Sequence, residues 1–125
     1  MPKIVRHPPS TPAPYSKAVH AGDFLFLSGQ IPFGPDGIVV PGGIEVQTKV
    51  VLDTIKRNLE ELGCSLSDIV KMTIWLQDVR DFRGYNDVFS KYFAKDPPAR
   101  STVRADLMRD ARIEIEAVAY KPSKG

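Results

Sequence analysis

The sequence predicts an α+β fold in which a mixed sheet is covered on one face by two helices. Three patterns carry that expectation. Residues 69–76 alternate, with Val70, Met72, Ile74 and Leu76 on one side and Ile69, Lys71, Thr73 and Trp75 on the other, the two-residue period of a strand. Residues 44–62 repeat apolar side chains at helical spacing through Val51, Leu52, Ile55, Leu59 and Leu62. Residues 81–95 place Phe82, Tyr85, Phe89, Tyr92 and Phe93 on a second helical stripe. Strands before, between and after such helices pack as a helix layer on a sheet.

In chain order, a short strand is expected at residues 3–6. Residues 1–16 then hold five of the eleven prolines, which makes this lead-in extended and poor in helix. Tyr15 closes it, either packed or as a pocket wall. Ala18 to His20 and Phe24 to Gln30 read as strands around an Ala21-Gly22-Asp23 turn. Gly34-Pro35-Asp36-Gly37 is a second turn, and Pro41-Gly42-Gly43 breaks the chain before the first helix. Gly63 is the C-terminal stop of that helix. Asp81 is the expected cap of the second helix, and Pro97-Pro98 follow its end. Arg100 to Leu107 and Arg112 to Lys121 complete the set as strands.

The bulk numbers bound the class. With 125 residues, 42% hydrophobic and 26% charged, the chain reads as a single domain, 1–125, of ordinary globular composition. The net charge of +2 comes from 17 basic residues dispersed among 15 acidic ones, so nothing points strongly to nucleic acid or to a membrane surface. Cys64 is the only cysteine, which excludes a disulfide within the chain and suits a reducing compartment. It follows Gly63 at a helix end and reads as a small loop residue rather than a nucleophile. His7 and His20 have no ligand pattern around them, which argues against a zinc site. No segment has the length of a signal peptide core or a membrane span, and the cytosol is the expected location.

One arginine stands out. Arg100 follows two prolines at the start of an alternating strand, so a stiff backbone can hold its planar fork of donors toward a carboxylate. On that strand Arg100, Thr102 and Arg104 share a side, and on the next Glu114 and Glu116 share a side. If these two strands pair, an arginine and a glutamate face one cavity; otherwise the acids are a solvated face. Ser28-Gly29-Gln30 ends an earlier strand, where a glycine admits a ligand close to the backbone. Asn86 falls on the aromatic stripe of the second helix and must find a partner. It is either a satisfied core amide or a group reaching a site. No phosphate loop, dinucleotide fingerprint, zinc signature or nucleophile elbow is present.

Taken together, these segments resemble the RidA (YjgF) family of enamine/imine deaminases. The matching pieces run in order along nearly the whole chain: Pro14-Tyr15-Ser16, Leu27-Ser28-Gly29-Gln30-Ile31-Pro32, Asp68-Ile69-Val70-Lys71, Asp81-Phe82 with Asn86, Pro98-Ala99-Arg100-Ser101, and Ile113-Glu114-Ile115-Glu116-Ala117-Val118-Ala119. The resemblance implies a chorismate-mutase-like fold, a homotrimer, and active sites in clefts between subunits. It implies that Arg100 pairs with the carboxylate of a small imino or enamino acid such as 2-aminoacrylate, and that Glu114 positions or activates water. Tyr15, Ser28, Gly29, Asn86 and Thr102 match substrate-binding positions. No cofactor or metal is implied, because an imine is already electrophilic. The chain departs from the family pattern at Ala13, Lys17, Thr102 and Pro97, and the segment between Phe93 and Pro98 is shortened. These departures bear on the pocket wall and leave Arg100 and Glu114 in place. The activity implied is hydrolytic deamination to a 2-oxo acid and ammonia. The alternatives are a larger substrate such as 2-aminomuconate, a non-catalytic binder of small carboxylates, and an RNA-binding or RNA-cleaving family member.

Overall fold

In a computed structural model that describes residues 4–123, strands β1 (Ile4–His7), β2 (Ala18–Ala21), β3 (Phe24–Gln30), β4 (Ile69–Leu76), β5 (Ala99–Arg104) and β6 (Ile113–Tyr120) form one sheet. The residue Lys3, expected in the first strand, lies outside the described residues, as do Met1 and Pro2. The strand order is β1-β2-β3-β6-β4-β5. All pairings are antiparallel except β4 with β5, which is parallel. Helices α1 (Ile44–Glu61) and α2 (Phe82–Tyr92) lie on one face. This is the α+β architecture expected from the sequence.

The central strand β6 shows how the layers separate. Ile113, Ile115, Ala117 and Ala119 are buried, while Glu114, Glu116, Val118 and Tyr120 turn to the other face. Beneath the helices they join Leu25, Leu27, Met72 and Ile74 with Val51, Leu52, Ile55 and Leu59 of α1 and Tyr85 and Phe89 of α2 in one core. Among the described residues the opposite face of the sheet has no such cover. Phe24, Phe26, Val103 and Tyr120 are 41–47% exposed there, a broad apolar surface for a chain of this size.

Four expectations shift in detail. Ile69 is buried and Val70 is 42% exposed, the reverse of the expected parity. A bulge between Ile69 and Lys71 causes this: Ile69 opposes Ala119 and Lys71 opposes Val118, which leaves Val70 unpaired. β5 ends at Arg104 rather than Leu107. Beyond the Ala105 amide, bonded to the Leu76 carbonyl, β4 itself has ended, and the Leu107 amide turns to the Gln77 side chain. α2 ends at Tyr92 rather than Lys95, because Phe93 leaves helical geometry and Asp96 takes a φ of 54° ahead of the two prolines. Asp81 precedes α2 without capping it, since its carboxylate accepts instead from Arg112 Nη1 at 3.2 Å.

Other local signals act as expected. Gly63 has a φ of 80° and ends α1, with the Cys64 amide donating to the Leu59 carbonyl. Cys64 is buried, and burial raises its thiol pKa, so it stays a neutral packing group. No helix among the described residues is long and apolar enough to cross a membrane.

α2 approaches the start of α1 through Gly84. A Cβ at Gly84 would lie 2.6 Å from Ile44 Cγ2 and 2.9 Å from Glu45 Oε2. Ile44 is buried and β-branched, so it has little room to yield. Gly84→Val is therefore expected to destabilise the fold by about 1–3 kcal/mol through overpacking, read as a lower urea midpoint at an unchanged denaturant slope.

Candidate active site

Arg100 enters the fold at the edge strand β5, opposite Met72 of β4. Parallel pairing turns it to the helix side of the sheet, under α2. Its guanidinium lies 4.8 Å from the Phe89 ring centroid, 5.1 Å from Tyr85 and 5.9 Å from Phe82. Arg100 Nη2 donates to Asn86 Oδ1 at 2.7 Å. The amide on the aromatic stripe thus finds its partner in the arginine. Phe82, expected on the buried face, is 44% exposed and forms the outer edge of this cradle. Thr102 lies two residues along the same side, and its hydroxyl is 2.9 Å from the Tyr85 hydroxyl. Burial raises the Tyr85 pKa above the ordinary phenol value, so this pair is neutral.

Among the described residues Arg100 forms no ion pair. It borders a cavity of about 360 Å³ with Asn86, Phe89, Phe93, Pro97 and Pro98. A partly buried guanidinium held by rings and one amide, with open donors and no acid beside it, is an anion-binding arrangement.

The second cluster lies across the molecule. Ser28 and Gly29 sit where β3 bulges against β6 between Leu27 and Gln30. The Ser28 hydroxyl donates to the Ser16 carbonyl at 2.7 Å, which ties the bulge to the proline-rich lead-in. Tyr15, 58% exposed, then stands at the wall of a cavity of about 330 Å³ with Ser28, Gly29, Gln30, Phe33 and Arg109. Gly29 is there for a steric reason. A Cβ at this position would overlap the Glu114 carboxylate. Glu114 has no hydrogen bond or ion pair among the described residues. Burial, and then the nearby Glu116, push its pKa above the ordinary carboxylate value.

The two clusters do not meet within the chain. β4 lies between β5 and β6, so the strands of Arg100 and Glu114 are not paired. The condition for one shared cavity, that these two strands pair, is not met, and the two side chains also point to opposite faces. The structure does bring Asn86, Arg100 and Thr102 together, and separately Tyr15, Ser28, Gly29 and Glu114. Sequence reasoning missed Phe33 and Arg109, which reach the second cavity from loops. The only signal was a lone arginine in the Met108-Arg109-Asp110 connection. A larger cavity, about 660 Å³, has Asp78, Asp81, Asp110 and Arg112 in its wall and contains none of the expected site residues. Among the described residues no cluster of three His, Cys, Asp or Glu side chains is arranged to hold a metal ion.

Known proteins resemble this chain along most of its length. A family model described as Endoribonuclease L-PSP matches residues 5–121. A RutC family protein of Pyrococcus abyssi is 48% identical over 115 residues, covering 90% of this chain and 91% of its own. A Capra hircus protein named 2-iminobutanoate/2-iminopropanoate deaminase is 39% identical over 115 residues, covering 90% and 84%. The crystal structure of a Rid family protein from Yersinia pestis superposes with a TM-score of 0.84 at 40% identity, covering 90% and 91%. With the family motifs in order and the fold in common, this chain belongs to the Endoribonuclease L-PSP family, the YjgF/RidA family.

Proposed function

We propose that this protein hydrolyses reactive imines and enamines of small amino acids, of the 2-aminoacrylate and 2-iminopropanoate type, to 2-oxo acids and ammonia. The observation that carries the reading is Arg100. A partly buried cation held by rings and one amide, with no ion-pair partner among the described residues, is suited to one ligand class, a small carboxylate. The mammalian relatives' name as imine deaminases supports the same class.

In this reading the site forms between copies of the chain. Arg100, Asn86 and Thr102 supply one wall, and Tyr15, Ser28, Gly29 and Glu114 of the next copy supply the other. Two half-cavities on opposite sides of one chain, and an uncovered apolar sheet face, support a homotrimer whose assembly closes each cleft. The Arg100 fork takes the substrate carboxylate and so fixes the position of the neighbouring C=N carbon. Glu114 removes a proton from water as the oxygen adds to that carbon. The proton then passes to nitrogen, the C–N bond breaks and ammonia leaves, while Glu114 takes up the hydroxyl proton as the carbonyl forms. Tyr15 and the Ser28-Gly29 backbone shape the opposite wall. No cofactor enters, since protonation of the imine supplies the electrophile.

Three outcomes test this. Sedimentation analysis should give a trimer; a stable monomer with full activity would remove the shared cleft. In an assay that generates 2-aminoacrylate from serine with a pyridoxal-phosphate dehydratase, the protein should accelerate pyruvate release. Arg100→Ala should lower kcat/KM by about 100-fold or more with circular dichroism and assembly unchanged. Turnover at the wild-type level in that variant would end the assignment of Arg100. No acceleration by the folded wild type would favour a larger enamine or a binding role, and steeply salt-dependent RNA affinity would favour the RNA alternative.

Glu114 gives a pH signature. A base with a raised pKa is protonated, and inactive, at the acid end, so activity should rise with pH through an apparent pKa above 4.5. Glu114→Gln should lose about 10²–10⁴-fold in rate and the acidic limb with it. The linked stability has the opposite sign. Because the folded state holds the Glu114 proton more tightly than the unfolded chain, wild-type stability falls as pH rises from 4.5 through the folded pKa. Glu114→Gln should therefore gain more against wild type at pH 8 than at pH 4 in urea unfolding.

A further inference from the structure

We propose that the cavity beside Glu114 selects imino acids that carry a second acidic group, and that Arg109 is the residue that reads it. The inference rests on the imine-hydrolase reading and names the substrate class of that same site.

Among the described residues, Arg109 is the only charged side chain lining the cavity formed by Tyr15, Ser28, Gly29 and Phe33. Its guanidinium stacks 5.9 Å from the Phe33 ring centroid, which leaves its donors free at the edges. Among the described residues it forms no ion pair or side-chain hydrogen bond. The acids nearest in sequence do not neutralise it. Asp106 accepts from Gln77 Nε2 at 3.0 Å, and Asp110 lines a different cavity with Asp78 and Asp81.

The segment that carries Arg109 is held rather than loose. The Ala105 amide bonds the Leu76 carbonyl, the Leu107 amide bonds Gln77 Oε1 at 2.9 Å, and the Ala111 amide bonds the Arg109 carbonyl at 2.8 Å. An exposed arginine on a stapled connection is pre-organised for an anion.

In the shared cleft of the imine-hydrolase reading, the groups fall in an order that sets the chemistry. Arg100 of one copy holds the carboxylate next to the C=N bond, and Glu114 of the next copy faces the reacting carbon. The cavity that Arg109 and Gly29 line, with the Glu114 carboxylate against Gly29, then receives what the substrate carries beyond that carbon. A methyl or ethyl group gains nothing from a guanidinium there, whereas a distal carboxylate gains a charge-assisted pair and neutralises a cation that the fold leaves open. The class is the imine of a short acidic amino acid, such as 2-iminosuccinate, made by two-electron oxidation of the amine. The step catalysed here is hydrolysis alone: water adds across C=N, the C–N bond breaks, and ammonium leaves with the 2-oxo diacid.

The test compares 2-iminosuccinate, generated from aspartate by an aspartate oxidase with catalase, and 2-iminopropanoate, generated from alanine by an amino-acid oxidase with catalase. Acceleration over the uncatalysed hydrolysis is followed for each. The wild type should favour the diacid in kcat/KM. In Arg109→Met that preference should fall about 10- to 100-fold, chiefly through KM, with partial recovery in Arg109→Lys. A preference that is absent in the wild type, or unchanged in Arg109→Met, overturns the proposal while leaving imine hydrolysis standing. Failure of the wild type to accelerate either hydrolysis overturns the underlying reading as well. Product inhibition of the unmutated protein gives a check that needs no variant: 2-oxosuccinate should inhibit more strongly than 2-oxobutanoate, and equal inhibition counts against the role of Arg109.

Discussion

The two-residue period of β6 divides this molecule. Because Ile113, Ile115, Ala117 and Ala119 must be buried under the helices, Glu114 and Glu116 have to face the other way. A slip of one residue would bury two carboxylates and expose two isoleucines, so the core holds the register firmly. The same sheet delivers Arg100 to the helix side, through β5 paired in parallel with β4. The cation and the unpaired acid are thus kept apart within a chain. Neither can neutralise the other, and each remains available to a ligand.

The Arg100 cradle shows how an aromatic stripe can serve packing and binding at once. Phe89 and Tyr85 belong to the core, and their ring faces also sit near the guanidinium. Rings stabilise the cation without consuming its donors. Asn86 takes one donor, which fixes the plane of the fork. An acidic partner in place of Asn86 would stabilise the arginine further and would also close the site. On the other side, Gly29 leaves room for the Glu114 carboxylate, and burial raises its pKa without any donor to hold it ionised. The Arg100 fork keeps open donors and, among the described residues, the Glu114 carboxylate accepts no hydrogen bond, the usual mark of groups held for something else.

Much of this was legible residue by residue. The stripe through Val51, Leu52, Ile55 and Leu59 becomes α1, and the alternation of residues 113–120 becomes β6, since both patterns report burial on one side only. The partner of Asn86 was not legible, because it depends on how β5 lies under α2. The bulge at Val70 was hidden as well. Ile69 and Val70 are both apolar and β-branched, so the sequence offers no reason to place one inward, and the pairing of Ile69 with Ala119 decides it. Arg109 gave no signal beyond its charge, because only the fold carries that connection to Phe33 and Tyr15.

By itself the sequence determined the element types, the helix-covered sheet and the family, and it singled out the candidate site residues. These follow from local periodicity, from glycines and prolines that punctuate it, and from short motifs in a characteristic order. Only the tertiary structure decided which of those residues are neighbours. Strand order places β4 between the arginine and the glutamate, and register turns them to opposite faces. Both are long-range choices made by packing the sheet against the helices, to which the spacing of residues along a chain is blind.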